Sequence, residues 1–232
     1  MYAAAKQMVA RRAVELVSSG MCVGLGTGST ASLFIAELGL AIRDGRLTDV
    51  TGVPTSLASE QLAREHGVPL FDTSNGFICD LTIDGADEID PQLELIKGLG
   101  GALLREKIVA QNSRRVVIIS DATKRVSRLG TKSLLPVEVI LFARSTSERF
   151  LRELNLKPRL RTTSGGETYL TDNGNAIFDC SIEHIDDMRA LARDLSARAG
   201  IVAHGLFIGI ADLAVVADEA GQIALLTRVA CG

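Results

Sequence analysis

Short apolar runs alternate with segments of helical period through the first half of this chain, and few folds accept that alternation. Cys22 to Leu25, Val50 to Val53, Val68 to Phe71, Leu81 to Ile83 and Val116 to Ser120 read as strands, too short for helices and bounded by glycine or polar residues. Between them, residues 3–18, Ser29 to Leu38, Ser59 to His66 and Ala102 to Gln111 repeat apolar residues at helical spacing. Strands joined through helices run parallel, and a parallel sheet has to be covered on both faces. The first half therefore predicts an α/β layer.

After Gly130 the rhythm changes. Val137 to Phe142, Pro158 to Thr162, Thr168 to Leu170, Ala176 to Cys180 and Ile201 to Phe207 read as strands, with helices over Ser147 to Leu154 and from Met188 to Ala199. Asp172-Asn173-Gly174-Asn175 is a strong turn signal. The order β-α-β-β-α-β is the split pattern of a ferredoxin-like unit. Leu213 to Ala217 and Ile223 to Leu226 then form a hairpin around Asp218 to Gly221. The expected division is a larger α/β domain of residues 1–130 plus 206–232, with a small α+β domain, 131–205, inserted into it.

Composition narrows the function classes. The net charge of −3, without a basic stripe, argues against nucleic acid as a partner. The N-terminal stretch carries Lys6, Arg11, Arg12 and Glu15 and has no apolar core of the secretory kind. The most apolar stretch, Ile201 to Ala217, is interrupted by His204, Gly205, Gly209 and Asp212, so no membrane span is expected. Cys22, Cys79, Cys180 and Cys231 form no CxxC pair and read as free thiols in a reducing cytoplasm.

Four segments carry chemistry, each placed where a strand ends or a helix begins. Gly24-Leu25-Gly26-Thr27-Gly28-Ser29-Thr30 joins a strand to a helix; its glycines admit a ligand close to the backbone, and its hydroxyls and the helix N-terminus suit a phosphate. The simpler reading is a tight turn with Ser29 or Thr30 as N-cap. A dinucleotide fingerprint also fits loosely, but the second strand ends Val53-Pro54-Thr55-Ser56, without the acid that would hold a ribose. Asp84-Gly85-Ala86-Asp87-Glu88-Ile89-Asp90 puts four carboxylates at the end of a strand, with neither the calcium-loop spacing nor a nearby histidine. In Lys97 to Lys107 a glycine-rich turn leads into a helix on which Glu106 has Ala102, Leu103, Val109 and Ala110 as neighbours. Such a carboxylate is either desolvated, with a raised pKa, or a surface group between Arg105 and Lys107. Asp121 to Lys124 adds a charged pair at a further strand end. His66, His184 and His204 are scattered and match no catalytic pattern.

Together these segments resemble the ribose-5-phosphate isomerase type A family. The matching pieces are GLGTGSTA at 24–31, DGADEID at 84–90, KGLGGALLREK at 97–107 and SDATK at 120–124, with PVEV at 136–139, TDNGN at 171–175 and GLF at 205–207. The resemblance implies a Rossmann-like domain with a smaller α+β domain, and a cytoplasmic homodimer or homotetramer that interconverts ribose 5-phosphate and ribulose 5-phosphate without metal or cofactor. It puts the base on Glu106, the active-site aspartates on Asp84 and Asp87, and the active-site lysine on Lys97. The substrate contacts fall on Thr27, Gly28, Ser29, Thr30, Gly85, Ala86, Gly98, Gly100 and Lys124. Chemically, Asp84 would help open the sugar ring, Asp87 orient hydroxyls and Lys97 stabilise an oxyanion. One departure is Leu99, where the family usually has glycine. Two other readings remain: a sugar-phosphate-sensing regulatory domain, which would need no carbon base, and a nucleotide-dependent dehydrogenase.

Overall fold

In the computed structural model, which describes residues 2–183 and 185–228, the βα run of the first half forms as its apolar pattern dictates. It comprises α1 (Ala3–Val14), β1 (Cys22–Leu25), α2 (Ser29–Arg43), β2 (Thr51–Pro54), α3 (Leu57–Glu65) and β3 (Leu81–Asp84). Two short strands, β4 (Glu88–Ile89) and β5 (Leu95–Ile96), precede α4 (Leu103–Gln111) and β6 (Val116–Asp121). Then come β7 (Leu135–Val139), α5 (Arg144–Glu153), β8 (Arg159–Leu160), β9 (Ala176–Cys180), α6 (Met188–Ala197) and β10 (Ile201–His204). The chain finishes with β11 (Leu206–Phe207), β12 (Leu213–Ala217) and β13 (Ile223–Leu226). His184 and Cys231 lie outside the described residues, and the other three cysteines are buried free thiols. No helix among the described residues is long and apolar enough to cross a membrane.

The main sheet has the order β13-β12-β6-β3-β1-β2, with every pairing parallel except the edge pair β12–β13. Its inner strands β1, β3, β6 and β12 are buried on both faces, and β6 shows why its sequence is continuously apolar. Val117 and Ile119 pack with Val9, Phe34 and Leu38 of α1 and α2, while Val116 and Ile118 pack with Ala110, Leu95 and Phe207 on the other face.

Residues 135–204 form a separate antiparallel sheet, β10-β7-β9-β8. That is the ferredoxin-like order, with Leu151, Leu191 and Leu195 of its two helices packed on Val137, Val139 and Phe178. A third sheet, β11-β5-β4, has no counterpart in the sequence pattern, because strands of two residues are too short to show alternation. The pattern over Ile201 to Phe207 reads as one strand but divides at Gly205: Leu206 and Phe207 leave β7 and pair with β5. The spacing also extends α1 to residue 18, whereas the helix ends at Val14 and closes in tight turns before Gly20. Val68 to Phe71 and Thr168 to Leu170 contribute isolated bridges only, at Leu70, Thr168 and Leu170, and Leu141–Ala143 is a 3-10 turn past the end of β7.

Of the four carboxylates in the 84–90 segment, two are structural. Asp90 accepts from the Gln92 and Glu94 backbone N–H groups, both at 2.8 Å. Glu88 is fully buried and accepts from the N–H groups of Gly130 (2.6 Å), Lys132 (2.6 Å) and Ser133 (2.5 Å). It thereby pins the segment that enters β7. Glu138 does similar work for the predicted turn, accepting from Thr171 and Asn175 at 2.8 and 2.9 Å. An unpartnered buried donor costs about 1–3 kcal/mol. Glu88→Ala should therefore lower Tm by roughly 5–10 °C in a chain of this size. Calorimetry checks this, and a shift under about 2 °C, less than one such donor costs, would mean the anchor is dispensable.

Candidate active site

The strand order reverses at β1, which has β2 on one side and β3 on the other. The carboxyl ends of β1 and β3 therefore open a crevice at a topological switch point, where open α/β sheets bind ligands. The loop after β1 passes so close to β3 that a Cβ on Gly26 would lie 2.6 Å from the Asp84 Cα. Glycine is required there because the two loops touch.

At the base of the crevice three charged side chains are buried together. Asp84, Lys97 and Glu106 are each less than 5% exposed. Lys97 Nζ lies 3.0 Å from Asp84 Oδ2 and 3.1 Å from Glu106 Oε1, and donates to the Gly85 carbonyl at 2.6 Å. Each comes from a different element: Asp84 ends β3, Lys97 follows β5, and Glu106 lies in the first turn of α4. Burial alone would lower the Lys97 pKa; the Asp84 and Glu106 carboxylates outweigh it and hold the ammonium above the ordinary lysine range. Glu106 is pushed up to about 8 by burial, partly offset by Lys97 and reinforced by Asp84. Its Oε2 has no hydrogen-bond partner. The choice left open by spacing is thus resolved: Glu106 is a desolvated carboxylate.

The crevice has a volume of about 130 Å³ and is lined by Thr27, Gly28, Ser29, Thr30, Gly85, Ala86, Asp87, Lys97, Gly98, Gly100, Glu106 and Lys124, all singled out in the sequence. Asp84 alone of the candidates is not in the wall. Its Oδ1 accepts from the N–H groups of Gly85 (2.7 Å) and Thr27 (3.1 Å), and its Oδ2 faces Lys97. Of the two aspartates, Asp87 is the one that lines the cavity. Three wall residues carry no assignment from the sequence: Lys6, Ser120 and Asp121. Ser120 and Asp121 belong to the SDATK segment already marked. Lys6 lies on α1, far from any motif, and only the fold brings its Nζ within 2.9 Å of Ser29 Oγ.

One end of the crevice is built for an anion. The α2 N-cap is Gly28, with a φ of +103° and no side-chain cap, so neither Ser29 nor Thr30 caps the helix. The first turn, with Ser29 and Thr30 in the crevice wall, therefore offers its free N–H groups and the positive end of the helix there, with Lys6 on Ser29; Lys124 and Asp121 line the same crevice. Thr27 is tied down from beneath by Thr55 and Ser56, each hydroxyl contact at 2.8 Å. The volume suits a small polar molecule rather than a dinucleotide. Among the described residues no three His, Cys, Asp or Glu side chains converge as metal ligands.

Comparison with known proteins gives consistent matches. The family model described as ribose 5-phosphate isomerase A (phosphoriboisomerase A) matches residues 51–221. Ribose-5-phosphate isomerase A of Roseiflexus castenholzii is 50% identical over 220 residues, covering 95% of this chain and 94% of that protein. The protein of the same name from Deinococcus radiodurans is 49% identical over 226 residues, covering 97% and 98%. Among solved structures, ribose 5-phosphate isomerase A from Methanocaldococcus jannaschii superposes with a TM-score of 0.93 at 39% identity, covering 98% of this chain and all of that one. A D-ribose-5-phosphate isomerase in complex with phospho-erythronic acid superposes with a TM-score of 0.92 at 37% identity, covering 96% and 97%.

Proposed function

This chain belongs to the ribose 5-phosphate isomerase A family of enzymes, and from that premise we propose that it interconverts D-ribose 5-phosphate and D-ribulose 5-phosphate through an enediolate, with Glu106 as the base. The observation that carries the reading is the buried, half-unpartnered Glu106 carboxylate beside Lys97. The substrate phosphate sits at the α2 N-terminus between Lys6 and Lys124. That orients the open sugar with C1 and C2 toward Glu106. Glu106 takes the proton from C2, and the electron pair moves through the C1–C2 bond to O1. Lys97 stabilises the negative charge on the enediolate oxygens. A proton passes between O2 and O1, and Glu106 returns its proton to C1 to give the ketose. Asp87 lines the cavity and is the carboxylate able to meet sugar hydroxyls and assist ring opening, while Asp84 holds Lys97 and the Thr27 loop. A solved relative is in complex with phospho-erythronic acid, a phosphorylated sugar acid, which supports a phosphate-reading site.

Glu106→Gln should lower kcat by about 10²–10⁴, the range for losing a general base. KM should move little, and Tm should be retained because Lys97 keeps Asp84 and the Gly85 carbonyl. In the unmodified enzyme kcat/KM should fall as pH drops through about 8, because the raised Glu106 pKa leaves the base protonated below that value. A folded Gln variant turning over within about threefold of the parent, well short of that range, would move the base elsewhere.

Free ribose should lose a factor on the order of 10²–10³ in kcat/KM, since a charge-assisted phosphate site supplies several kcal/mol. Comparable efficiency on ribose and its 5-phosphate would remove the phosphate from the α2 N-terminus.

Turnover should survive exhaustive EDTA treatment, because the Lys97 ammonium occupies the place between Asp84 and Glu106 that a metal would need. Loss of activity restored by Mg²⁺ or Mn²⁺ would overturn this account of the acidic segment.

A further inference from the structure

The peptide unit between Gly98 and Leu99 is held at both ends by side chains from different parts of the fold. Its N–H, on Leu99, donates to Asp87 Oδ2 at 3.0 Å. Its carbonyl, on Gly98, accepts from Arg161 Nη1 at 3.3 Å, and the same nitrogen donates to the next carbonyl, on Leu99, at 3.0 Å. Arg161 is itself fixed. Its Nε donates to Asp179 Oδ2 at 2.9 Å and its Nη2 pairs with Asp179 Oδ1, so the carboxylate takes the guanidinium in a two-point grip. The pair is largely buried, with side chains 13% and 19% exposed, and Arg161 also lies over the Tyr169 ring. Tyr169 packs on the same turn: a Cβ on Gly101 would lie 2.9 Å from Tyr169 Cζ, and Gly101 has a φ of +86°.

We propose that Arg161, held by Asp179, is a positioning residue for Asp87: it fixes the Gly98–Leu99 peptide so that the Leu99 N–H sets the Asp87 carboxylate in the crevice. This inference rests on the reading of Asp87 as the carboxylate that meets the substrate. Three arguments carry it. A cation at the carbonyl end and a carboxylate at the N–H end polarise one peptide in the same sense, so each strengthens the other's hold. Arg161 spends its third nitrogen, Nη1, on two carbonyls of this loop rather than on the surface of its own sheet. And the small sheet does not need Arg161 to stay docked. Asp172 accepts from the Leu57 N–H at 2.8 Å, and Arg105 donates to Asn173 at 3.0 Å, both independently of it. Every contact to Leu99 here is through its backbone, and its side chain is 42% exposed. Leu99 is also absent from the residues with positive φ, so its backbone accommodates leucine without strain.

The test is a double-mutant cycle on the full chain with Arg161→Met and Asp87→Asn, with kcat, KM and Tm measured for each. Arg161→Met should lower kcat by about 10- to 100-fold, the scale for an angstrom-level misplacement of a reacting group. KM should change less than about threefold, because the anion end is untouched; Tm should drop by roughly 5–15 °C, because Asp179 is left largely buried without its cation, and the kinetics are read on the folded enzyme well below that transition. In the Asp87→Asn background the same substitution should cost less than about threefold. Arg161→Lys, which can reach only part of the array, should fall between. A full-sized loss persisting in the Asp87→Asn background, a loss confined to KM, or a folded Arg161→Met enzyme with unchanged kcat would each overturn the inference. Failure of the parent chain to isomerise ribose 5-phosphate would instead strike the reading on which it rests.

Discussion

Lys97 between Asp84 and Glu106 is the contact around which the rest of the structure is arranged. Burying three charges is unfavourable unless each finds partners at short range, and a well-packed apolar cluster of the same volume would often be more stable. The arrangement persists because three elements converge to satisfy it. β3 delivers Asp84 at the end of a fully buried strand, β5 delivers Lys97 from a separate small sheet, and α4 delivers Glu106 in its first turn. Asp84 is saturated by two backbone N–H groups and the ammonium, and Lys97 by two carboxylates and a carbonyl. Only Glu106 is left with an oxygen unpartnered. The shortfall in hydrogen bonds is therefore concentrated on one atom, the one that on the proposed reading handles the carbon-bound proton.

How much of this was legible in the sequence depends on the range of the contact. The strands and helices of the main sheet carry their own period, and the four segments at the strand ends are local, so each could be seen from its neighbours alone. The desolvation of Glu106 could not. Its apolar helical neighbours pointed that way, but Arg105 and Lys107 pointed to the surface. The answer came from Lys97, which follows β5, a strand of two residues that leaves no pattern. Lys6 was invisible for the same reason, since only packing of α1 beside α2 brings it to Ser29. The acidic segment read as one cluster, yet it divides in purpose. Asp84 holds Lys97 and the Thr27 loop and Asp87 lines the crevice, while Glu88 and Asp90 are consumed by backbone N–H groups. Charge density alone does not separate those fates, because the partners of Glu88 lie more than forty residues away.

The antiparallel sheet looks peripheral in topology but is not so in energetics. Its residues reach the crevice wall from outside through carbonyl oxygens, which have a second lone pair to spare. Asp172 and Asn173, in the turn that Glu138 organises, hold α3 and α4. Arg161 and Tyr169 hold the turn between Lys97 and Glu106. The turn that separates two of the buried charges is thus clamped from both sides.

Charge is also sorted along the crevice, and that sorting is the last link between fold and chemistry. Lys6 meets Ser29 at the α2 N-terminus, whereas Glu106 lies beside Lys97 and Asp87 beside the Gly98–Leu99 peptide; Lys124 and Asp121 also line the wall. On the proposed reading a substrate with a phosphate at one end is favoured in one direction, because reversal would set the phosphate against Asp87 and Glu106 and away from Lys6. A neutral sugar would meet no such penalty and could bind either way round. On that reading the anion end supplies orientation as well as affinity. Orientation matters because the proton moves between adjacent carbons and a single carboxylate must reach both. A dinucleotide loop would need the ribose-binding acid at the end of β2; here that strand runs into Thr55 and Ser56, whose hydroxyls are spent on Thr27. On the proposed reading, the glycine loop that could have served either ligand is committed to the smaller one by what lies beneath it.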